Sequence, residues 1–330
     1  MIARTRHPTT RPTKPAVEPE PPQQLQYGSL KWINMVKPGA DQMVKMRAEY
    51  HFHPLHLEDV LSHLQRPKID DNPEDDREHQ GEYVFLVLHF PVFDKANRLP
   101  VVSELDIFAG PDYVITIHDG KLKPLVRLVR NCEDEKTRAQ LMNGGSGYLL
   151  YRIIETLVSA CFPMIYRVDQ HLTRIEADIF GSKVHAVVQE LSFVRRDIIA
   201  MRRIIKPNIP VVHSLEMQDR TFLRLDEEVY FGDLTDGLAK LWDMLEEQKE
   251  IIEGLNATLD SLTSHRINEE MKIFTLISVI MLPMTLVASI FGMNVTIPFS
   301  DHPMALPVVL VVMSIPALAM YAYFRYKHWV

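Results

Sequence analysis

The chain has 330 residues, 46% of them hydrophobic, with 43 Asp and Glu against 36 Lys and Arg and a formal net charge of -7. That length accommodates a soluble domain of ordinary size, a helical region and a small membrane part. The negative balance argues against nucleic acid as a partner, because phosphate binding needs clustered Lys and Arg, and favours cationic ligands.

Residues 1–26 are rich in Pro, Gln and Thr and hold no apolar run long enough for a secretory signal, so they read as a disordered tail. Residues 27–140 read as an α/β domain. Short β-branched and aromatic runs at Tyr83–Leu88, Leu105–Phe108 and Tyr113–Ile117 have the composition of buried or half-buried strands, and His53–Leu64 reads as a short helix between strands. Asp70, Asp71, Glu74, Asp75 and Asp76 beside Pro73 read as a solvated acidic loop. The histidines His51, His53, His56 and His63 lack the second ligand cluster that a zinc site needs. Cys132 and Cys161 show neither C-x-x-C nor His-Cys spacing and are expected to be reduced. No phosphate loop, His-Glu-x-x-His or nucleophile elbow is present in the sequence, so an enzyme is not expected and no cofactor is implied.

Residues 141–264 read as a helical stalk. Apolar positions recur at three and four from Tyr148 to about Ile205, and a second such segment runs from about Val212 into the first membrane span, with Pro207 and Pro210 marking the reversal between them. That second helix approaches roughly eighty residues and about 100 Å at 1.5 Å per residue. Between Glu216 and Glu270 there are 15 Asp or Glu against 5 Lys or Arg. The excess reads either as a solvated face or as a cation-attracting surface.

Ile273–Ser300 and Pro303–Phe324 contain no charged residue, and each run reaches the roughly 20 residues that cross a bilayer. The expected spans are residues 265–291 and 303–324, joined by an outer loop over 292–302 and followed by a cytoplasmic end at 325–330. Arg266 and Lys272 precede the first span and Arg325 and Lys327 follow the second, whereas the loop has no Lys or Arg, so both termini are expected in the cytosol. The first span carries a row at alternating steps of three and four: Asn268, Met271, Thr275, Ser278, Leu282, Thr285 and Ser289. Around an oligomeric axis this row lines water; in a packed bundle its small hydroxyl residues serve close helix contact instead. It holds no carboxylate, which suits an ion that stays largely hydrated, as Mg²⁺ does because its water shell is hard to remove. Apolar Met271, Phe274 and Leu282 would narrow it and gate by dewetting.

Phe291-Gly292-Met293-Asn294 closing the penultimate span, with Met281-Leu282-Pro283-Met284-Thr285 before it, resembles the CorA family of divalent-cation channels. Further segments in the family's order are His53–Leu61, Gln65–Lys68, Tyr83–Phe85 and Tyr148–Tyr151, so the resemblance covers nearly everything from Trp32 to Val330. It implies a funnel-shaped homopentamer in the cell membrane, with a cytoplasmic α/β domain, long stalk helices and a pore lined by the first span. Mg²⁺ is implied as both transported and regulatory ion, with Co²⁺ and Ni²⁺ also carried. The resemblance assigns Gly292, Met293 and Asn294 to the selectivity ring and adds Phe274 to the pore-lining row. It assigns cation sensing to Asp59 on one subunit and Asp233 on the next, with Glu58 and Glu155 at a second site. The outer loop departs from the family's Met-Pro-Glu-Leu pattern and keeps Asp301 as its only acid. Two other readings stand beside the magnesium channel: a zinc transporter of the same superfamily, against which Met293 counts, and a membrane-anchored scaffold.

Overall fold

The computed structural model describes residues 21–62, 64–72, 82–181, 184–218, 220–223, 226–293 and 304–327. Its contacts divide the chain into two units, Met1–Glu253 and Gly254–Val330. Residues 1–20 of the expected tail, His63, Glu74, Asp75, Asp76, Asn294 and the outer loop through Pro303 lie outside the described residues.

The first unit is built on a six-stranded sheet of β1 (Gln23–Tyr27), β2 (Leu30–Val36), β3 (Lys68–Asn72), β4 (Tyr83–Asp94), β5 (Leu99–Ala109) and β6 (Tyr113–His118). The strand order is β1-β2-β6-β5-β4-β3. Among the described strands only β2 and β6 pair in parallel, and the long excursion between them supplies the crossover that parallel pairing requires. Two sequence readings are corrected here. Residues 23–26, read as the end of a tail, form an edge strand with Tyr27, held by five antiparallel Cα partners from Gln23↔Asn34 to Tyr27↔Leu30. Asp70 and Asp71, read as a solvated loop, sit in β3, where both carboxylates meet cations.

Strand β4 is apolar on both sides because both faces of the sheet are covered. On one face Phe85, Val87, Phe108, Ile115 and Ile117 pack with Met43 and Met46 of α1 (Ala40–Tyr50) and with Leu57 of α2 (Pro54–Leu61). Phe52, between these helices, stacks on Phe108 with centroids 4.2 Å apart. On the other face Leu86, Leu88, Leu105, Ile107 and Val114 are completely buried. Helices α5 (Gly145–Asp178) and α6 (Val184–Ile205) lie there, with α3 (Lys123–Asn131) and α4 (Glu135–Met142) against α5. A polar chain runs through this layer: Trp32 Nε1 donates to Thr116 Oγ1 at 3.1 Å, and Thr116 donates to Asn34 Oδ1 at 2.8 Å. Both donors of this Trp32–Thr116–Asn34 relay therefore meet an acceptor.

The two long helical segments of the sequence are each interrupted. The first divides into α5 and α6 around Gly181, whose N–H closes on the Asp178 carbonyl at 2.9 Å. The second begins as a separate helix, α7 (Asn208–Met217), and the long helix α8 (Glu227–Phe291) starts only afterwards, with 65 residues rather than about eighty. Gln218 is extended at the end of α7. Arg220 holds it there, donating to the Gln218 carbonyl at 2.9 Å and gripping Asp71 of β3 through Nε at 2.7 Å and Nη2 at 3.1 Å. A bidentate pair between residues 149 apart is invisible to local periodicity.

Buried Asn208, at the start of α7, accepts the His89 N–H at 2.9 Å and donates to the His89 carbonyl at 2.6 Å, tying the helix to β4. Cys132 and Cys161 are buried and unpaired with each other, and burial pushes both thiols up, to about 11 and about 12.

The second unit consists of the C-terminal part of α8 and of α9 (Ala305–Tyr326). Among the described residues three helices are long and apolar enough to cross a membrane: α5, α8 and α9. In α5 44% of the apolar window is buried by protein, against 6% in α8 and 0% in α9. Helix α5 is thus a core helix of the sheet domain, while the other two leave apolar side chains to be covered by something other than this chain.

Candidate functional site

All eight residues of the expected pore row, Asn268, Met271, Phe274, Thr275, Ser278, Leu282, Thr285 and Ser289, are exposed along one side of α8. The sheltered stripe of the same helix, Leu276, Ile280, Pro283 and Val287, lies roughly opposite at 3.6 residues per turn. Three hydroxyl protons on the row are used within the helix. Thr275 Oγ1 donates to the Met271 carbonyl at 2.7 Å, Ser278 Oγ to Phe274 at 2.9 Å and Thr285 Oγ1 to Met281 at 2.9 Å. Each oxygen thereby turns lone pairs outward and keeps no unsatisfied donor, which makes the row tolerable in an apolar medium and able to accept hydrogen bonds from water. Phe274 at 66% and Leu282 at 69% exposure interrupt these oxygens with apolar surface.

Gly292 ends α8, its N–H bonded to the Ala288 carbonyl at 2.9 Å, and Met293 follows with its N–H toward Ile290. A Cβ on Gly292 would stand 3.1 Å from the Ala288 oxygen, so any larger residue crowds the last turn. Met293 is 59% exposed. Asn294, the third residue of the motif, is outside the described residues.

Four carboxylates assigned to sensing fall in the first unit. Glu58 is exposed and Asp59 half-buried on α2, a helix started by His53, whose Nδ1 accepts the Leu55 N–H at 3.2 Å. Asp59 does not stand free: Lys68 Nζ is 2.8 Å from its Oδ2 and 2.6 Å from Asp70 Oδ2. Burial disfavours the Lys68 charge, but the two carboxylates outweigh it and hold its pKa above the usual value. Glu155 on α5 accepts Ser159 Oγ at 2.9 Å and lies 3.3 Å from Arg152. Asp233 is exposed on α8 and accepts the Tyr151 hydroxyl at 3.0 Å. Burial, then that bond, pushes the Tyr151 phenol up to about 12.

A single chain does not assemble these groups. Asp59 and Asp233 have separate partners, and among the described residues no three His, Cys, Asp or Glu converge as a metal site. The donors are the oxygens a hard cation takes, yet the Asp59 oxygen is already covered by an ammonium. His51, His53 and His56 likewise form no ligand cluster: His56 is buried, stacks on Phe85 at 4.7 Å and meets the Tyr83 hydroxyl through Nδ1 at 2.9 Å.

Sequence reasoning overlooked two members of this neighbourhood. Lys68 belonged to a quoted segment without a role. Asp106 is buried beneath α2, on the sheet face of Phe108, and among the described residues its Oδ1 has no hydrogen-bond partner. Burial, then Glu104 and Asp59, pushes its pKa well above the usual carboxylate value, which disfavours its charged form. The alternation in Leu105-Asp106-Ile107-Phe108 was the available signal.

Comparison with known proteins gives a consistent picture. The family profile described as CorA-like Mg2+ transporter protein matches residues 27–326. The chain is 29% identical over 300 residues to the cobalt/magnesium transport protein CorA of Thermotoga maritima, covering 90% of this chain and 83% of that protein. It is 24% identical over 314 residues to the magnesium transport protein CorA of Salmonella typhimurium, at 90% and 91% coverage. The complete structure of the CorA magnesium transporter from Methanocaldococcus jannaschii superposes with a TM-score of 0.78 at 20% identity, covering 93% of this chain and 94% of that one.

Proposed function

The chain belongs to the CorA-like Mg2+ transporter family, whose members are membrane transporters of divalent cations and not enzymes, and from that premise we propose that it is a magnesium channel. In this reading it assembles as a homopentamer in the cell membrane with both termini in the cytosol, and it carries hydrated Mg²⁺ inward along the first span, with Co²⁺ and Ni²⁺ as further cargo. The observation that carries it is the exposed row of hydroxyl oxygens on an apolar helix that is followed in the sequence by Gly-Met-Asn. Oxygens without charge hold the waters of a hydrated dication without stripping them.

The driving force needs no cofactor. At about 2.3 kcal/mol per charge per 100 mV, a dication gains roughly twice that on moving to the negative side. Gly292, Met293 and Asn294 form the outer ring, and Phe274 and Leu282 form apolar constrictions that close by dewetting. Asp59 of one subunit and Asp233 of the next, with Glu58 and Glu155 nearby, sense cytosolic Mg²⁺. Neutralised by the ion, these carboxylates hold neighbouring subunits together; without it their repulsion loosens the closed state.

The test is Mg²⁺ uptake into proteoliposomes holding the purified protein under an inside-negative potential, comparing wild type with Asn294→Ala. Uptake by the wild type and its loss in the variant are expected. Absence of Mg²⁺ uptake with Zn²⁺ uptake retained would give the zinc reading instead, and absence of any flux the scaffold reading.

A further inference from the structure

Away from the ion path and the sensing carboxylates, a cleft of about 590 Å³ opens in the first unit between the β4–β5 turn and helices α5 and α6. That volume is in the range of small-molecule sites. Its wall carries Lys95 and Arg98 from the turn, Arg174 from α5 and Arg196 from α6, against the acids Glu190 and Asp197. Four cations meet in one cleft of a chain whose net charge is -7.

The basic turn is built rather than loose. Asp94 accepts the Ala96 N–H at 2.9 Å and the Asn97 Nδ2–H at 2.7 Å, which fixes the turn. Arg98 is held at φ +52, a left-handed conformation that is strained for a non-glycine residue. Arg196 Nη2 donates to the Arg98 carbonyl at 2.5 Å, so the turn and α6 are joined across the cleft. The same guanidinium lies 5.4 Å from the Phe193 centroid, and its buried Nε has no hydrogen-bond partner among the described residues. A strained basic residue and an unsatisfied buried donor in one wall indicate a place kept for an acceptor.

Two aromatic rings also line this cleft, Phe93 at 49% and Phe193 at 48% exposure, beside the apolar Ile175 and Val194. Half-exposed rings next to a cationic cluster match a ligand with a flat aromatic end and an anionic end. We propose that the cleft binds a nucleoside triphosphate, with Lys95, Arg98 and Arg174 on the phosphates and Phe93 and Phe193 on the base. This goes beyond the transport reading and does not depend on it.

The test uses the full-length protein in detergent with EDTA and no Mg²⁺, so that binding is read apart from ion transport. ATP, adenosine and tripolyphosphate are titrated by calorimetry. Saturable binding of one ATP per chain is expected, tighter than either fragment. Arg98→Asn with Arg174→Gln should weaken it about tenfold or more, the loss expected for charged hydrogen bonds, and Asn is chosen because it tolerates the left-handed turn. Phe193→Ala should weaken ATP roughly tenfold, in line with base stacking, and leave tripolyphosphate unchanged. Arg174 and Phe193 are exposed helix positions, so each single variant serves if the turn variant fails to fold. No saturable ATP binding, variants that bind like wild type, or tripolyphosphate binding as tightly as ATP would each overturn the proposal.

Discussion

Lys68→Met tests whether the ammonium on Asp59 sets the sensitivity of cation sensing. Lys68 stands 2.8 Å from Asp59 and 2.6 Å from Asp70, with about a third of its side chain exposed. Solvent screening at that exposure reduces each contact toward the surface value of up to about 1 kcal/mol, whereas fully charge-assisted bonds reach about 1.5–3 kcal/mol. Taken together the two contacts amount to about 1–2 kcal/mol. A divalent cation binding Asp59 must first release that ammonium, so its removal lowers the ion concentration needed by roughly five- to thirtyfold at 1.4 kcal/mol per decade. Removal also leaves Asp59 and Asp70 facing each other as like charges, which adds in the same direction.

The assay is the Mg²⁺ concentration giving half-maximal protection of the detergent-solubilised protein from limited proteolysis, with Asp59→Asn alongside. In Lys68→Met the midpoint should fall about tenfold, and the variant without Mg²⁺ should melt lower than wild type. An unchanged or higher midpoint in Lys68→Met, with protection abolished in Asp59→Asn, refutes the competition argument alone. Protection unaffected by Asp59→Asn would instead remove Asp59 from sensing.

Replacing exposed Leu282 by Asn, between the hydroxyls of Ser278 and Thr285, should hydrate the constriction and raise Mg²⁺ uptake severalfold at low potential; unchanged flux would deny Leu282 a gating part. Asn208→Ala strips the His89 N–H and carbonyl of their buried partners, a loss of about 3 kcal/mol, and should lower the melting temperature of the sheet domain by roughly 5–10 °C, readable by circular dichroism. Burial lowers both His56 and His118 to about 4. The unfolded chain takes up these protons near pH 6.5 and the folded one only near 4, so stability is full above about 6.5 and is lost as the pH falls through that window, by at most about 3 kcal/mol per histidine. His118→Gln should flatten the dependence of melting temperature on pH between 6.5 and 4; a slope equal to wild type would show that His118 titrates alike in both states.

Much of this protein was legible locally. Strands β4, β5 and β6 announce themselves by runs of β-branched and aromatic residues, and α9 and the end of α8 by length without charge, because burial in a sheet or bilayer selects composition over short windows. The hydroxyl row on α8 follows from helical period alone, and the family follows from Gly292-Met293-Asn294 with its neighbouring segments. Tertiary structure decided what depends on distant residues meeting. The end of α7 at Gln218 exists because Arg220 reaches Asp71 across 149 positions. Gln23–Tyr27 is a strand because β2 offers it an edge, although its own composition resembles the tail. Helix α5 is apolar enough to span a membrane, and only the sheet beneath it makes it a core helix. Asp59 carries a fixed counter-cation because β3 runs under α2 and delivers Lys68 there. Periodicity and hydropathy are properties of neighbours along the chain, whereas helix breaks, ion pairs and the medium that covers an apolar face are set by neighbours in space.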